Sequence, residues 1–253
     1  MWWILGLLGC ALGGWGAWAT RRLLYPDTHR AALPSPPPSS TTHRLTASDG
    51  NSFDVWLLEA PTPRATLLIF HGYYANRSQI LALAEGLRGH GYEAVLFELR
   101  GHGSRPGPCT FGLRETEDAH LALQWAAARH PSGWPIGVIG FSMGAVVACQ
   151  LALRHPDLRA VILDSAYSRF FPVLQRTLWS RYHLLGFPFA WIAWWGLQLA
   201  LRKPLGRLDP AAAASQLHQP LLMIQGGADR RVDPKLGEEL YQGWAGPKER
   251  WVD

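Results

Sequence analysis

Cysteine is scarce in this chain of 253 residues: Cys10, Cys109 and Cys149 are odd in number and far apart. That excludes a disulfide framework and a C-x-x-C metal pair. No H-E-x-x-H occurs, so a zinc-peptidase site has no ligand motif, and Gly101-His102-Gly103 lacks the third glycine of a dinucleotide-binding loop. No metal and no cofactor is expected. Long basic runs are also missing. Lys and Arg outnumber Asp and Glu by 24 to 19, for a net charge of +5, yet no basic run exceeds two residues. Nucleic-acid binders gather such charge into a stripe or run, so no nucleic-acid partner is expected. The basic excess suits a membrane face or an anionic substrate. Disorder is excluded as the general state by a hydrophobic content of 48%.

Charge is absent from the first twenty residues, MWWILGLLGCALGGWGAWAT. As a helix they would extend about 30 Å, the thickness of a bilayer core. Trp2, Trp3, Trp15 and Trp18 stand near the two ends, where amphipathic rings prefer the interface. A cleaved signal peptide needs a basic start, which is missing. A lipoprotein reading of Leu7-Leu8-Gly9-Cys10 leaves a very short apolar run. The sequence therefore predicts an uncleaved membrane anchor over residues 1–22, with Arg21 and Arg22 keeping the following domain cytoplasmic. Residues 23–42 read as a linker; Pro34 and the run from Pro36 to Pro38 favour a stiff spacer.

After residue 43 strands and helices alternate. Arg44–Ala47 and Phe53–Leu58 flank Asp49-Gly50, a hairpin signal. Apolar runs at Ala65–Phe70, Glu93–Phe97, Ile136–Ile139, Ala160–Leu163, Leu221–Ile224 and Glu249–Val252 read as strands. Ser78–Arg88, Glu115–Arg129, Met143–Leu153 and Lys235–Trp244 read as helices. The alternation predicts an α/β fold, a mostly parallel sheet with helices on both faces, whose chemistry sits at the carboxyl ends of the strands.

The strand Ile136–Ile139 runs into Gly140-Phe141-Ser142-Met143-Gly144, a G-x-S-x-G between a strand and a helix. That context is the one a nucleophile elbow requires: a tight turn lifts Ser142 above the sheet, and the Met143 amide opens a helix where a negative oxygen would form. Three strand ends together resemble the α/β-hydrolase superfamily, in its monoglyceride-lipase-like and serine-aminopeptidase-like members. Besides the elbow these are His71-Gly72-Tyr73, similar to the oxyanion loop, and Arg100-Gly101-His102-Gly103-Ser104, which looks like the family's R-G-x-G-x-S loop. The third strand end, Gly226-Gly227-Ala228-Asp229, resembles its G-x-x-D segment. The resemblance covers residues 43–253. It implies Ser142 as nucleophile, the Tyr73 and Met143 amides as oxyanion donors, Asp229 as triad acid with Asp164 as the fallback, and a serine hydrolase of acyl esters. His71 and His102 read as loop-building residues that bond to backbone. Esterase, thioesterase, amidase and peptidase share these loops.

A histidine is missing where the resemblance requires one. The mechanism needs a base, and the family's chain order is Ser, Asp, His. Here the last histidine is His218, ahead of Asp229. Two readings follow: an active enzyme whose sequence stops short, or a catalytically dead protein that binds a lipid or a protein partner. The first is favoured, because a sheet ending at an uncovered edge exposes backbone that proteins normally hide.

Acidic residues are missing from 166–208, which fits the family's cap insertion and holds ten aromatics. Within it Leu184–Leu201 is uncharged and long enough to look transmembrane. A span there would put Ser142 and Asp229 on opposite sides of a bilayer, so the segment reads either as a helix at the interface or as a buried cap helix. A membrane and an acyl-ester or lipid-like molecule are the expected partners; the oligomeric state is open.

Overall fold

The computed structural model describes residues 2–27, 35–182 and 186–253. Residues 28–34 of the expected linker, Pro34 among them, and Leu184 at the start of the uncharged cap segment lie outside them. Helix α1 covers Trp2–Leu24. The hairpin of β1 (Ser40–Thr46) and β2 (Ser52–Leu58) turns at Gly50, whose φ of 80° suits glycine. Then follow β3 (Ala65–Phe70), α2 (Ser78–Gly89), β4 (Tyr92–Phe97), α3 (Leu113–Ala127), β5 (Ile136–Phe141), α4 (Met143–Arg154) and β6 (Val161–Asp164). The cap contributes α5 (Phe170–Tyr182), α6 (Gly186–Leu201) and a 3-10 turn at Leu205–Leu208. Short α7 (Ala211–Ala214), β7 (Leu221–Gln225), α8 (Pro234–Gly243) and β8 (Lys248–Val252) complete the order.

The eight strands form one sheet in the order β1-β2-β4-β3-β5-β6-β7-β8. β1, β2 and β4 pair antiparallel; the remaining neighbours are parallel. This is the predicted α/β class, and it is the α/β-hydrolase fold. Along β2 to β5 the side chains alternate between two cores. Leu57, Leu68, Phe70, Val95 and Val138 face α3 and α4, while Trp56, Ile69, Leu96 and Ile139 face α2. That is the period of two expected of strands covered on both faces.

Strand order and register place the site. From β3 the chain crosses to β4 on one side and then returns past β3 to β5, so the direction reverses between β3 and β5. A crevice opens at such a switch point, above the carboxyl ends of the strands. The register aligns Phe70 with Gly140, Phe141 with Asp164, Asp164 with Ile224 and Gln225 with Val252. The loops that follow β3, β5, β6 and β7 therefore leave the sheet at one level.

The N-terminus differs from its expected form. No helix among the described residues is long and apolar enough to cross a membrane. Five glycines dilute the apolar run of α1, and its later turns pack on the domain: Gly16, Ala19, Thr20, Leu23 and Leu24 form a buried face spaced three and four residues apart. Helix α1 continues to Leu24 and β1 starts at Ser40, which narrows the expected linker from both ends.

Candidate active site

Ser142 sits between β5 and α4 with φ 50° and ψ −108°. A non-glycine residue at positive φ is strained, and the packing around it must hold it there. The glycines on either side show how. A Cβ at Gly140 would strike the backbone of Gly144 and Ala145, and one at Gly144 would strike the carbonyls of Phe70 and His71. Only glycine lets β5, α4 and the end of β3 approach this closely. The Ser142 amide donates to the Asp164 carbonyl at 2.9 Å, which fixes the elbow to β6. Met143 opens α4, where first-turn amides lack an intrahelical partner and the helix dipole favours negative charge.

The loop after β3 lies against Ser142. A Cβ built on Gly72 would be 3.6 Å from Ser142 Cβ. The Gly72 amide donates to Gln79 Oε1 at 2.8 Å, tying the loop to α2. His71 is fully buried, and both of its ring nitrogens are used. Leu99 N donates to Nε2 at 3.0 Å, so Nδ1 carries the proton and donates to Gly72 O at 2.9 Å. Glu98 approaches the same Nε2 to 3.4 Å, but that nitrogen is already an acceptor, and Glu98 instead takes a 3.0 Å bond from Arg77 Nε. His102 donates from Nδ1 to Arg100 O at 2.8 Å. Burial, with His71 beside it, pulls the His102 pKa down to about 3.

The loop after β4 is scaffolding. Arg100 grips the buried Asp118 with Nε and Nη2, both at 2.7 Å, and reaches Asp49. Arg105 donates to Asp118 at 2.7 Å and to the Glu98 carbonyl at 3.0 Å. A doubly used carboxylate of this kind fixes a loop by charge-assisted bonds.

Asp229 follows β7. Its Oδ1 accepts from the amides of Arg231 at 2.7 Å and Val232 at 3.0 Å. Asp164, at the end of β6, accepts from Ser165 Oγ at 2.9 Å. Burial raises the Asp164 pKa, and the nearby negative charge of Asp229 adds to the rise.

A cavity of about 610 Å³ collects these groups: Ser142, Met143, Tyr73 and Asp229 all line it, whereas no described histidine does. The volume is typical of a small-molecule site. Phe111, Phe141, Tyr167, Phe170, Val173, Leu174 and Val232 give it apolar walls. Two further lining residues, Leu23 and Asp27, come from the end of α1 and the turn after it. Sequence reasoning missed them, having assigned that segment to anchor and linker; no local pattern signals the docking. It also missed the Tyr73 side chain, whose hydroxyl donates to the Leu23 carbonyl at 2.7 Å, joining the loop after β3 to α1. Cys109 N makes a similar 2.7 Å bond to the Leu24 carbonyl.

Residues 61–188 match the family described as serine aminopeptidase, S33. Two uncharacterized proteins of Mycobacterium tuberculosis are 30% identical over 184 residues, which is 72% of this chain and 58% of theirs. The chain thus spans under two thirds of the length of those relatives. A pimeloyl-[acyl-carrier protein] methyl ester esterase of Neisseria meningitidis is 26% identical over 211 residues, covering 69% of this chain and 79% of that protein. Among solved structures, an esterase of Pyrococcus furiosus superposes with a TM-score of 0.69 at 23% identity, over 84% of this chain and 82% of that one.

Proposed function

The chain belongs to the serine aminopeptidase S33 family, and from that premise we propose that it is a serine hydrolase of acyl esters, held at a membrane by its N-terminal helix. One observation carries the chemistry: Ser142, strained at the head of α4, faces a cavity that Tyr73, Met143 and Asp229 also line.

In this reading Ser142 Oγ attacks the ester carbonyl. The Met143 and Tyr73 amides hold the oxygen that becomes negative, and the strained turn keeps Ser142 in place before the reaction begins. A base takes the Ser142 proton and returns it to the leaving alcohol; water then releases the acyl group. His71 spends both ring nitrogens on backbone, and His102 is buried and held neutral, so neither serves as that base. Asp229 would orient that base; its loop is held by the Gly227 amide, which donates to the Asp253 carbonyl at 2.7 Å. The apolar walls suit an acyl chain, and a methyl ester esterase among the relatives points to ester rather than peptide substrates.

A second reading, a cavity that binds a lipid without cleaving it, is favoured by the absence of a histidine among the described lining residues. Labelling the native protein with a fluorophosphonate and assaying a panel of acyl esters separates the two. The hydrolase reading expects a label at Ser142, a preference for acyl length, and a loss on the order of a millionfold in kcat for Ser142→Ala. An unlabelled Ser142 in folded native protein assigns the cavity to binding alone.

A further inference from the structure

Helices α1 and α6 lie side by side and run in the same direction. The rings of Trp15 and Phe189 are 4.6 Å apart, Gly16 faces Ile192, and Thr20 faces Gly196. Partner numbers rise together, which fixes the pair as parallel. Glycine makes the approach possible: a Cβ at Gly16 would fall 2.6 Å from Ile192 Cγ2, and one at Gly196 would strike Thr20. Parallel packing has a consequence for charge. Arg21 and Arg22 close α1, and Arg202 and Lys203 follow α6, so four exposed cations gather at one end of the pair. Behind them residues 2–20 and 186–201 carry no charged side chain.

Helix α6 is apolar on two sides. Ala190, Ala193 and Leu197 face the core. Trp191, Trp195 and Leu199, spaced by four, form an outward stripe on which Trp195 is 64% and Leu199 81% exposed. Trp18 of α1 is exposed as well. A helix facing water places charged and polar side chains on that side, and an apolar stripe of this kind marks an interaction surface.

We propose that the outer face of the α1–α6 pair docks on an anionic lipid bilayer, with its uncharged lengths in the membrane interface and its four cations at the level of the headgroups. Charge selects this occupant. A second copy of the chain would bring the same cations together, whereas anionic headgroups neutralise them. The orientation connects to the site, because the cationic end of the pair is the end that borders the cavity: Leu23 forms part of its wall. An acyl chain leaving the bilayer there reaches Ser142 along Leu23 and Tyr73 without crossing bulk water. This last step rests on the acyl-ester reading; the docking does not.

Vesicle flotation of the full chain, diluted from detergent, tests the docking without reference to activity. Phosphatidylcholine vesicles containing phosphatidylglycerol are expected to bind about tenfold more tightly than phosphatidylcholine alone, with the advantage shrinking as salt rises. The double variant Trp195→Glu/Leu199→Glu is expected to lose about tenfold or more in binding to both vesicles. Arg202→Gln/Lys203→Gln is expected to lose only the preference for the anionic ones. Thermal melting in detergent checks that each variant is folded. Flotation of the glutamate variant at the wild-type level overturns the proposal, as does a chain that forms dimers and does not float. Wild-type flotation combined with an unlabelled Ser142 sinks the hydrolase reading and leaves the docking intact.

Discussion

Helices α4 and α6 are both strongly apolar, and they are used in opposite ways. Helix α4 carries one charge, Arg154 at its end, and its residues from Met143 to Cys149 are all buried between the sheet, α3 and the cap. Its side chains are mostly small, because β3, β5 and the elbow crowd its first turn. Helix α6 carries no charge and five large aromatics, yet it leaves Trp191, Trp195 and Leu199 outside. The more apolar of the two is the less covered. Burial follows from position in the sheet order, and the surplus apolarity of α6 answers a demand that the core does not make.

The sharpest way to break this comparison is to add one methyl group to α4 and one to α1, the helix that packs beside α6. In Gly144→Ala the new Cβ meets the carbonyls of Phe70 and His71, backbone atoms that cannot turn aside. Overpacking of this kind costs about 3 kcal/mol, and the loop after β3 would shift with it. On α1 a Cβ at Gly13 or Gly14 meets nothing within 4 Å. There alanine is expected to add about 0.5–1 kcal/mol per site by favouring the helix. Urea denaturation of the three variants reads both signs. Equal, small effects would mean that the elbow is not packed as tightly as the glycines imply.

The same contrast separates what was legible in the sequence from what was not. The strands from Ala65 to Val252 and helices α2, α3, α4 and α8 follow from short apolar runs and from helical spacing, and their ends fall within a few residues of expectation, whereas α5 and the short α7 were not read from the sequence. Both signals are local. The tight turn that carries Ser142 was legible for a similar reason: its glycines are its neighbours in the chain, and they are what admits the close packing. The scaffold below the site was not legible. Asp118 holds Arg100 and Arg105 from α3, and Glu98 holds Arg77 from the end of β4; nothing in the spacing of these residues marks them as partners. The docking of α1 was hidden by its own composition. An apolar, uncharged N-terminus reads as lipid-facing, while Gly16, Ala19, Thr20, Leu23 and Leu24 turn one side of it to the domain. The resemblance assigned a role only to the Tyr73 amide; the bond to the Leu23 carbonyl gives its hydroxyl a structural role that the sequence did not signal.

The buried side of the comparison also carries a pH dependence. Burial holds the His102 pKa near 3, whereas an unfolded histidine titrates near 6.5. Between those values the unfolded chain takes up a proton that the folded chain refuses, so stability falls as pH drops from about 6.5 towards 3. His71 opposes the charge on His102 and Glu98 favours it. Glu115 and Asp164, whose pKa values are raised, pull stability in the opposite sense but do so in wild type and variant alike. His102→Asn keeps a donor for the Arg100 carbonyl and removes the titration. Its penalty, read from urea midpoints, is therefore expected to shrink between pH 7 and pH 4.5. A penalty constant over that range would show that His102 titrates normally in the folded protein.

The smallest effect is the most diagnostic of α6. Trp195→Glu alters a side chain that the domain barely covers, so folding stability in detergent should stay within about 0.5 kcal/mol of wild type. A buried leucine such as Leu151 on α4, cut to alanine, is expected to cost about 2–5 kcal/mol in the same assay. The pair of measurements tests whether large apolar residues on α6 serve the fold at all. A loss above about 1.5 kcal/mol for Trp195→Glu would mean that the tryptophan is packed in solution. Helix α6 would then belong with α4 as a core helix. A null effect on folding, set beside lost vesicle binding in the Trp195→Glu/Leu199→Glu chain, would place the function of that surface outside the molecule.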